Sequence, residues 1–388
     1  MPINEVGPQG RTGFRNGELA ALLVRLAFEF EDGSRLAAVE RLPMPIRVVP
    51  ASGFDRALSD VVAARVGWLQ RHGALDIGFQ PNLPADPPTP GSGTVVALQT
   101  VREGWLRQVA PSVGCFILPG PPIRAENERR ALDFTELKTR WAERNIVTVY
   151  LPEGIGQPIL DACLFEEILQ SLGVYNDIFD LLPSIFNDDG LHVFPTALDL
   201  LLIRTFYAVP ETALSSRERM MAEARAALAA LNPEGEAPDA PSLGLAPRPV
   251  IARVRASYEA AARRNDGRVD LDTVESLIGD TAQGFDALQC MLRGHAVVLN
   301  RRAGDPDTLQ VIDGAAARCR EAGTDVAFRL TNLAAQRGLF LVANNRPGDA
   351  LATFEGVPEM LDAHGRGVEA TDLRRIQARL REITADGR

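Results

Sequence analysis

The sequence predicts an α+β protein: a domain of mixed helix and strand followed by an all-helical one. Three observations predict this. Up to about residue 230, short β-branched runs alternate with amphipathic helical patterns. The stretch 231–250, LNPEGEAPDAPSLGLAPRPV, is rich in Pro, Gly and Ala and has no hydrophobic period, as expected of a linker. Beyond it the apolar residues recur at helical spacing only. The expected organisation is therefore a domain over 10–230, a linker over 231–250 and a helical domain over 251–388, which suits a chain too long for one ordinary core.

In the first domain, residues 17–30 have apolar positions at helical spacing, and 46–49 is a short strand. Residues 54–70 form an amphipathic helix with Leu58, Val61, Val62, Val66 and Leu69 on one stripe. Strands are expected at 75–79, 94–98, 115–118 and 146–151, with a Pro-rich loop at 81–90. Residues 158–172 form a helix ended by Gly173. Asn187 to Gly190 is a turn cluster, and helices follow at 196–206 and 216–231. Past the linker, helical runs lie near 250–263, 270–279, 283–300, 306–322, 325–343, 347–362 and 367–385. Within them Ala334, Gly338, Leu341, Ala350 and Phe354 have the small–small–large–small–large spacing of a tetratricopeptide repeat. The resemblance implies antiparallel helix pairs, with small residues at the close approach and large ones plugging the groove.

Composition narrows the function classes. Net charge is −10, and the 41 basic residues are scattered rather than striped, which argues against nucleic-acid binding. No apolar run reaches the ~20 residues of a membrane span. The first residues, MPINEV, carry no basic region followed by an apolar core. Two expectations follow: a cytoplasmic protein, or one whose leader is absent from this chain. The four cysteines, Cys115, Cys163, Cys290 and Cys319, fall two in each half, which permits one bridge per domain but equally suits buried thiols. Neither C-x-x-C nor C-x-x-x-H spacing occurs, nor a phosphate loop or a G-x-S-x-G elbow. Asp188-Asp189 reads as a solvated turn.

On the 158–172 helix, Cys163, Glu166, Glu167 and Gln170 share a face by their i, i+3, i+4, i+7 spacing. Such a face can be simply polar. It also resembles the metzincin motif H-E-x-x-H-x-x-G-x-x-H laid down from Glu166. Glu167 then takes the place of the catalytic Glu and Gly173 that of the turn Gly, while Glu166, Gln170 and Asn176 stand where the three His would be. Downstream, Ser184-Ile185-Phe186 resembles the metzincin Met-turn with Phe186 at the Met, and Leu198-Asp199-Leu200 and Phe206-Tyr207 resemble the following helix. Catalytic zinc takes about three His or carboxylate ligands and an open position for water. One carboxylate and two amides do not supply that set, and oxygen donors of this kind suit Ca²⁺ or Mg²⁺ better. None of the four histidines, His72, His192, His295 and His364, has a partner at i+4. Zinc is therefore not expected.

A second resemblance covers about residues 10–230. Cys163, Glu166-Glu167, Gln170, Leu172-Gly173 and Asn176-Asp177 are similar to the C-x-H-E-E-x-x-Q-x-L-G-x-x-N-D pattern of a family of secreted or lipid-anchored bacterial proteins of unknown function. Gly13-Phe14-Arg15-Asn16 and residues 141–145 are similar as well. The chain departs from the pattern at Phe165, where the family has His. The resemblance implies a periplasmic or secreted protein with a Cys115–Cys163 disulfide, and Cys290 and Cys319 are a second candidate pair. The expected function is noncatalytic: binding of a protein or peptide by strand addition beside an edge strand at 146–151, or on the concave side of the helical repeats. The alternative is a divergent metal-dependent hydrolase with Glu167 as general base.

Overall fold

The computed structural model describes residues 12–30, 33–52, 54–82, 93–102, 115–120, 122, 146–154, 157–178, 181, 183–187, 192–264, 271–279, 288–290, 292–293, 307–321, 327–363 and 365–386. Residues 141–145, Asp188, Asp189, Gly190, His295, His364 and most of the 283–300 run lie outside this set. The chain forms two compact units. The first comprises 13–177 and 192–241, and the second comprises 178–191 and 242–388, apart from a few N-terminal residues.

The first unit is built on a five-stranded mixed sheet. Its strands are β1 (Ile46–Ser52), β2 (Ile77–Phe79), β3 (Thr94–Val101), β4 (Phe116–Pro119) and β5 (Ile146–Pro152), in the order β2-β1-β3-β5-β4. The pairs β1·β2, β1·β3 and β3·β5 are parallel, and β4 runs antiparallel to β5. A strand buried on both faces must be apolar almost throughout. Accordingly β3 (TVVALQTV) and β5 (IVTVYLP), both long and largely apolar, lie inside the sheet, in register from Val95↔Ile146 to Val101↔Pro152. This corrects the expectation of an edge strand at 146–151. Among the described strands the edges are β2 and β4, and β4 pairs with β5 from Phe116↔Tyr150 to Pro119↔Val147.

The helices of this unit are α1 (Asn16–Phe28), α2 (Arg56–Gly73), α3 (Gln157–Ser171), α4 (Ala197–Ala208) and α5 (Arg217–Leu231). The α2 helix makes the crossover between parallel β1 and β2, as such a pair requires. Asp55 caps its start by accepting from the Leu58 amide at 2.8 Å, and Ala74 ends it in the left-handed region at φ 55°. Helix α3 follows β5 directly and packs on β4, β5 and α2. It is held to α2 by a bidentate ion pair: Arg65 Nε and Nη2 donate to the two Asp161 carboxylate oxygens at 2.7 and 2.6 Å, with both side chains almost wholly buried. Cys115, at the start of β4, is disulfide-bonded to Cys163 of α3, with Cα atoms 5.9 Å apart.

The N-terminal Phe14-Arg15-Asn16 segment fastens the stretch after α5. The Arg15 amide donates to Pro241 O (3.1 Å) and its Nε to Ala240 O (2.8 Å). Asn16 Nδ2 donates to Asn232 O and to Glu236 Oε1, while Asn232 Nδ2 donates to Phe14 O and Asn16 Oδ1. A side chain at Gly235 would collide with Asn232, Asn16 and Phe14. The first half of the Pro/Gly/Ala-rich stretch is therefore docked on the first unit by polar contacts, which leave no hydrophobic period to read.

The second unit is helical: α6 (Arg248–Arg264), α7 (Leu271–Leu277), a helical stretch at 288–290 and 292–293, α8 (Asp307–Glu321), α9 (Ala327–Ala343), α10 (Pro347–Thr353), α11 (Val357–Ala363) and α12 (Gly367–Asp386). Cys290 and Cys319 are disulfide-bonded within a buried cluster with Ile312, Ala315, Leu333 and Phe340. The α9–α10 hairpin buries Leu341, Ala350 and Phe354, and a side chain at Gly338 would overlap the Phe354 ring. The expected single helix over 347–362 is instead two short ones, because Gly356 turns the chain at φ 74° and Pro358 opens the next helix.

Removing one partner of a buried ion pair leaves an uncompensated charge, whereas replacing both with apolar groups often does not destabilise. Arg65→Ala should lower unfolding stability in urea by about 3–5 kcal/mol. The double variant Arg65→Met/Asp161→Leu should recover most of that loss.

Candidate functional site

Helix α3 places the motif residues by its own periodicity. At 100° per residue, Asp161, Phe165 and Leu172 fall on one side, and Cys163, Glu166, Glu167 and Gln170 on the opposite one. The ion pair to Arg65 directs the first side to α2. There Phe165, fully buried, meets Trp68 edge-on at 5.4 Å and Phe194 at 5.2 Å, and the Arg65 guanidinium lies 5.8 Å from the Phe194 ring centroid. Position 165 thus belongs to an aromatic cluster and points about 140° away from Gln170. An imidazole there would share that direction, away from Gln170.

The side chains at the second and third ligand positions are turned into the fold. Gln170, nearly buried, donates from Nε2 to Asp177 Oδ1 at 2.7 Å. Asn176 takes its place through its backbone amide, which donates to Leu26 O at 3.1 Å, and its Nδ2 reaches Arg25 O at 3.4 Å. Glu166 is half-exposed and Glu167 buried. Among the described residues, no group of three or more His, Cys, Asp or Glu side chains is spaced to hold a metal ion.

Gly173 ends this segment at φ 126°, a conformation that side chains rarely adopt. A methyl group there would lie 2.8 Å from the Phe206 ring and 3.2 Å from Glu40 O. Tyr175, two residues on, donates to the same Glu40 oxygen at 3.0 Å and stacks on Phe30. Asp199, the position matching the metzincin helix, forms a capping box at the start of α4: its carboxylate accepts from the Thr196 amide (2.7 Å) and hydroxyl (2.9 Å). At the other end of α4, Arg41 Nη1 donates to the carbonyls of Phe206, Tyr207 and Val209, a favourable place for a cation. Burial pushes the Tyr207 hydroxyl far above its usual pKa, so it stays protonated. Phe186 lies in the 178–191 segment of the second unit. There the Phe186 amide donates to Ser184 Oγ at 3.0 Å, its carbonyl accepts from Ile178, and Asn187 Nδ2 donates to Leu181 O.

Four anchor residues escaped the reading of the sequence. Arg65 lies on the apolar stripe of α2 and Asp161 on the apolar side of α3, and a charge at such a position signals a buried partner. Asn232 and Gly235 gave no comparable signal, because their partners are more than 200 residues away.

A family model described as "Protein of unknown function (DUF2927)" matches residues 16–212, just over half of the chain, and the chain belongs to this family. No curated protein matches. No solved structure matches either.

Gly173→Ala should cost about 1–3 kcal/mol of stability, from its positive φ and the overlap with Phe206. Denaturant unfolding measures this. The change should be seen without loss of either disulfide.

Proposed function

We propose that this member of the family is a noncatalytic scaffold of the zincin type that binds a protein or peptide in an oxidising compartment, the bacterial periplasm or the cell exterior. The observation that carries this is the occupation of two of the three ligand positions: Gln170 is hydrogen-bonded to Asp177, and Asn176 is fixed to the backbone of α1. These amides serve the fold where a protease would present imidazoles. The zincin type is supported by the helix that carries the motif directly after β5, beside a sheet with an antiparallel edge strand, and by the positive-φ Gly173 at the motif's turn. The expected peptide groove moves with the edge, from 146–151 to β4, where a strand can be added through backbone hydrogen bonds.

The cysteines support this compartment. Both pairs are bridged and no described cysteine is free, which is the usage of oxidising compartments. No described helix is long and apolar enough to cross a membrane. A tetratricopeptide-like second unit is supported by the close approach of Gly338 to Phe354 across the α9–α10 hairpin.

Metal analysis of protein purified without chelator, after dialysis against zinc, calcium and magnesium in turn, tests the noncatalytic reading. Far less than one metal per chain is expected, with no peptide hydrolysis and no change on Glu167→Gln. One zinc per chain, lost in Glu166→Ala together with a hydrolytic activity, would establish instead the divergent hydrolase with Glu167 as general base.

A further inference from the structure

The second unit holds a cluster in which two guanidiniums share one carboxylate. Arg293 Nε and Nη2 donate to Glu275 Oε1 and Oε2 at 2.7 and 2.9 Å, and Arg318 Nη1 lies 2.7 Å from Glu275 Oε1. The three residues come from three places: α7, the helical residues at 288–290 and 292–293, and α8. The Cys290–Cys319 bridge fixes two of these, because Arg293 is one helical turn beyond Cys290 and Arg318 immediately precedes Cys319. The Cα atoms of the bridged pair are 5.3 Å apart. Both arginines are thus held toward Glu275 by a covalent link rather than by flexible packing.

The charges do not balance. Among the described residues two cations face one anion, an excess of one positive charge. The Arg293 side chain is only 7% exposed, and its Nη1 is buried without a hydrogen-bond partner among the described residues. Leaving such a donor unmet is unfavourable, the more so on a charged group. Access from solvent lies on the Arg318 side, where the side chain is 39% exposed, with Glu275 at 28%. Both arginines hold the Glu275 carboxyl below its ordinary pKa, Arg293 most strongly and against the opposing effect of burial, so it stays ionised at neutral pH.

We propose that Arg293 and Arg318 form a binding site for a single carboxylate, presented by a peptide as its C-terminal or an acidic side-chain group. The ligand displaces the half-exposed Arg318 side chain from Glu275 and is held between Arg318 and the unmet Nη1 of Arg293. One carboxylate neutralises the excess charge, whereas a phosphate dianion would leave a net negative charge in a half-buried place. Planar carboxylates also match the guanidinium fork. The site deepens the peptide-binding reading above but uses none of the α3 motif, so either can fail without the other.

The test is a titration of the full chain, at constant ionic strength, with N-acetyl-alanine, its carboxylate-free analogue N-acetyl-alaninamide, and inorganic phosphate. The readout is the arginine Nε–Hε signals in ¹⁵N NMR spectra. N-acetyl-alanine should shift the Arg293 and Arg318 signals saturably with a Kd of about 1–10 mM. The amide should not, and phosphate should bind more weakly. Arg318→Gln, at the exposed end of the cluster, should weaken binding about tenfold. Glu275→Gln removes the internal competitor and should tighten it about tenfold, a gain that a purely structural cluster would not give. Absence of a saturable shift overturns the site, and so does equal binding of the amide. Unchanged or weaker binding in a folded Glu275→Gln variant, with both disulfides intact, would also overturn it.

Discussion

The buried pair between Arg65 and Asp161 decides what the first unit can do, because it sets the rotation of α3 about its own axis. A bidentate guanidinium–carboxylate contact has one geometry, and it fixes the side of the helix that carries Asp161 and Phe165 against α2. The opposite side, with Cys163, Glu166, Glu167 and Gln170, must then face away from α2. The Cys115–Cys163 disulfide agrees with this, since it ties the motif side of α3 to the start of β4. An ion pair on one side and a covalent bond on the other leave the helix no freedom to roll. Buried ion pairs are weak sources of net stability but strong sources of specificity when their alternatives leave bare charge.

Within that frame the polar motif residues have structural work. The Gln170–Asp177 bond closes the chain reversal made by Gly173, and Asn176 joins the reversal to α1. The Thr196–Asp199 box and Arg41 cap the two ends of α4, whose Phe206 ring packs over Gly173. Gln170, Asn176, Gly173 and Asp199 thus each have a role in folding that requires no metal. The scaffold proposed above rests on this: the spacing is kept where it shapes the turn at Gly173.

Much of the fold was legible in the sequence, for definite reasons. The strands stand out because buried parallel strands are apolar throughout, and the helices because their burial has a period near 3.6. Strand order was not legible: β5 and β4 are both short apolar runs, and only the ladder reveals that β4 takes the edge. The docking of residues 232–241 was hidden because it rests on amide–carbonyl contacts with Phe14, Arg15 and Asn16. Those contacts explain the Gly-Phe-Arg-Asn similarity as an anchor rather than a site. The aromatic surroundings of Phe165 were hidden for a related reason, since sequence spacing gives its neighbours but not the direction that Arg65 imposes. In the second unit Gly338 lies against Phe354, and Gly356 ends the second helix earlier than the periodicity suggests.

The central claim is that the polar residues of the motif act on one another to hold the fold. A double-mutant cycle on Gln170→Leu and Asp177→Ala, read by denaturant unfolding, measures it most directly. A coupling of about 1 kcal/mol or more is expected for a nearly buried, charge-assisted hydrogen bond. Additivity within about 0.3 kcal/mol would mean that the two side chains are energetically independent, and the motif would have to be retained for something other than the fold.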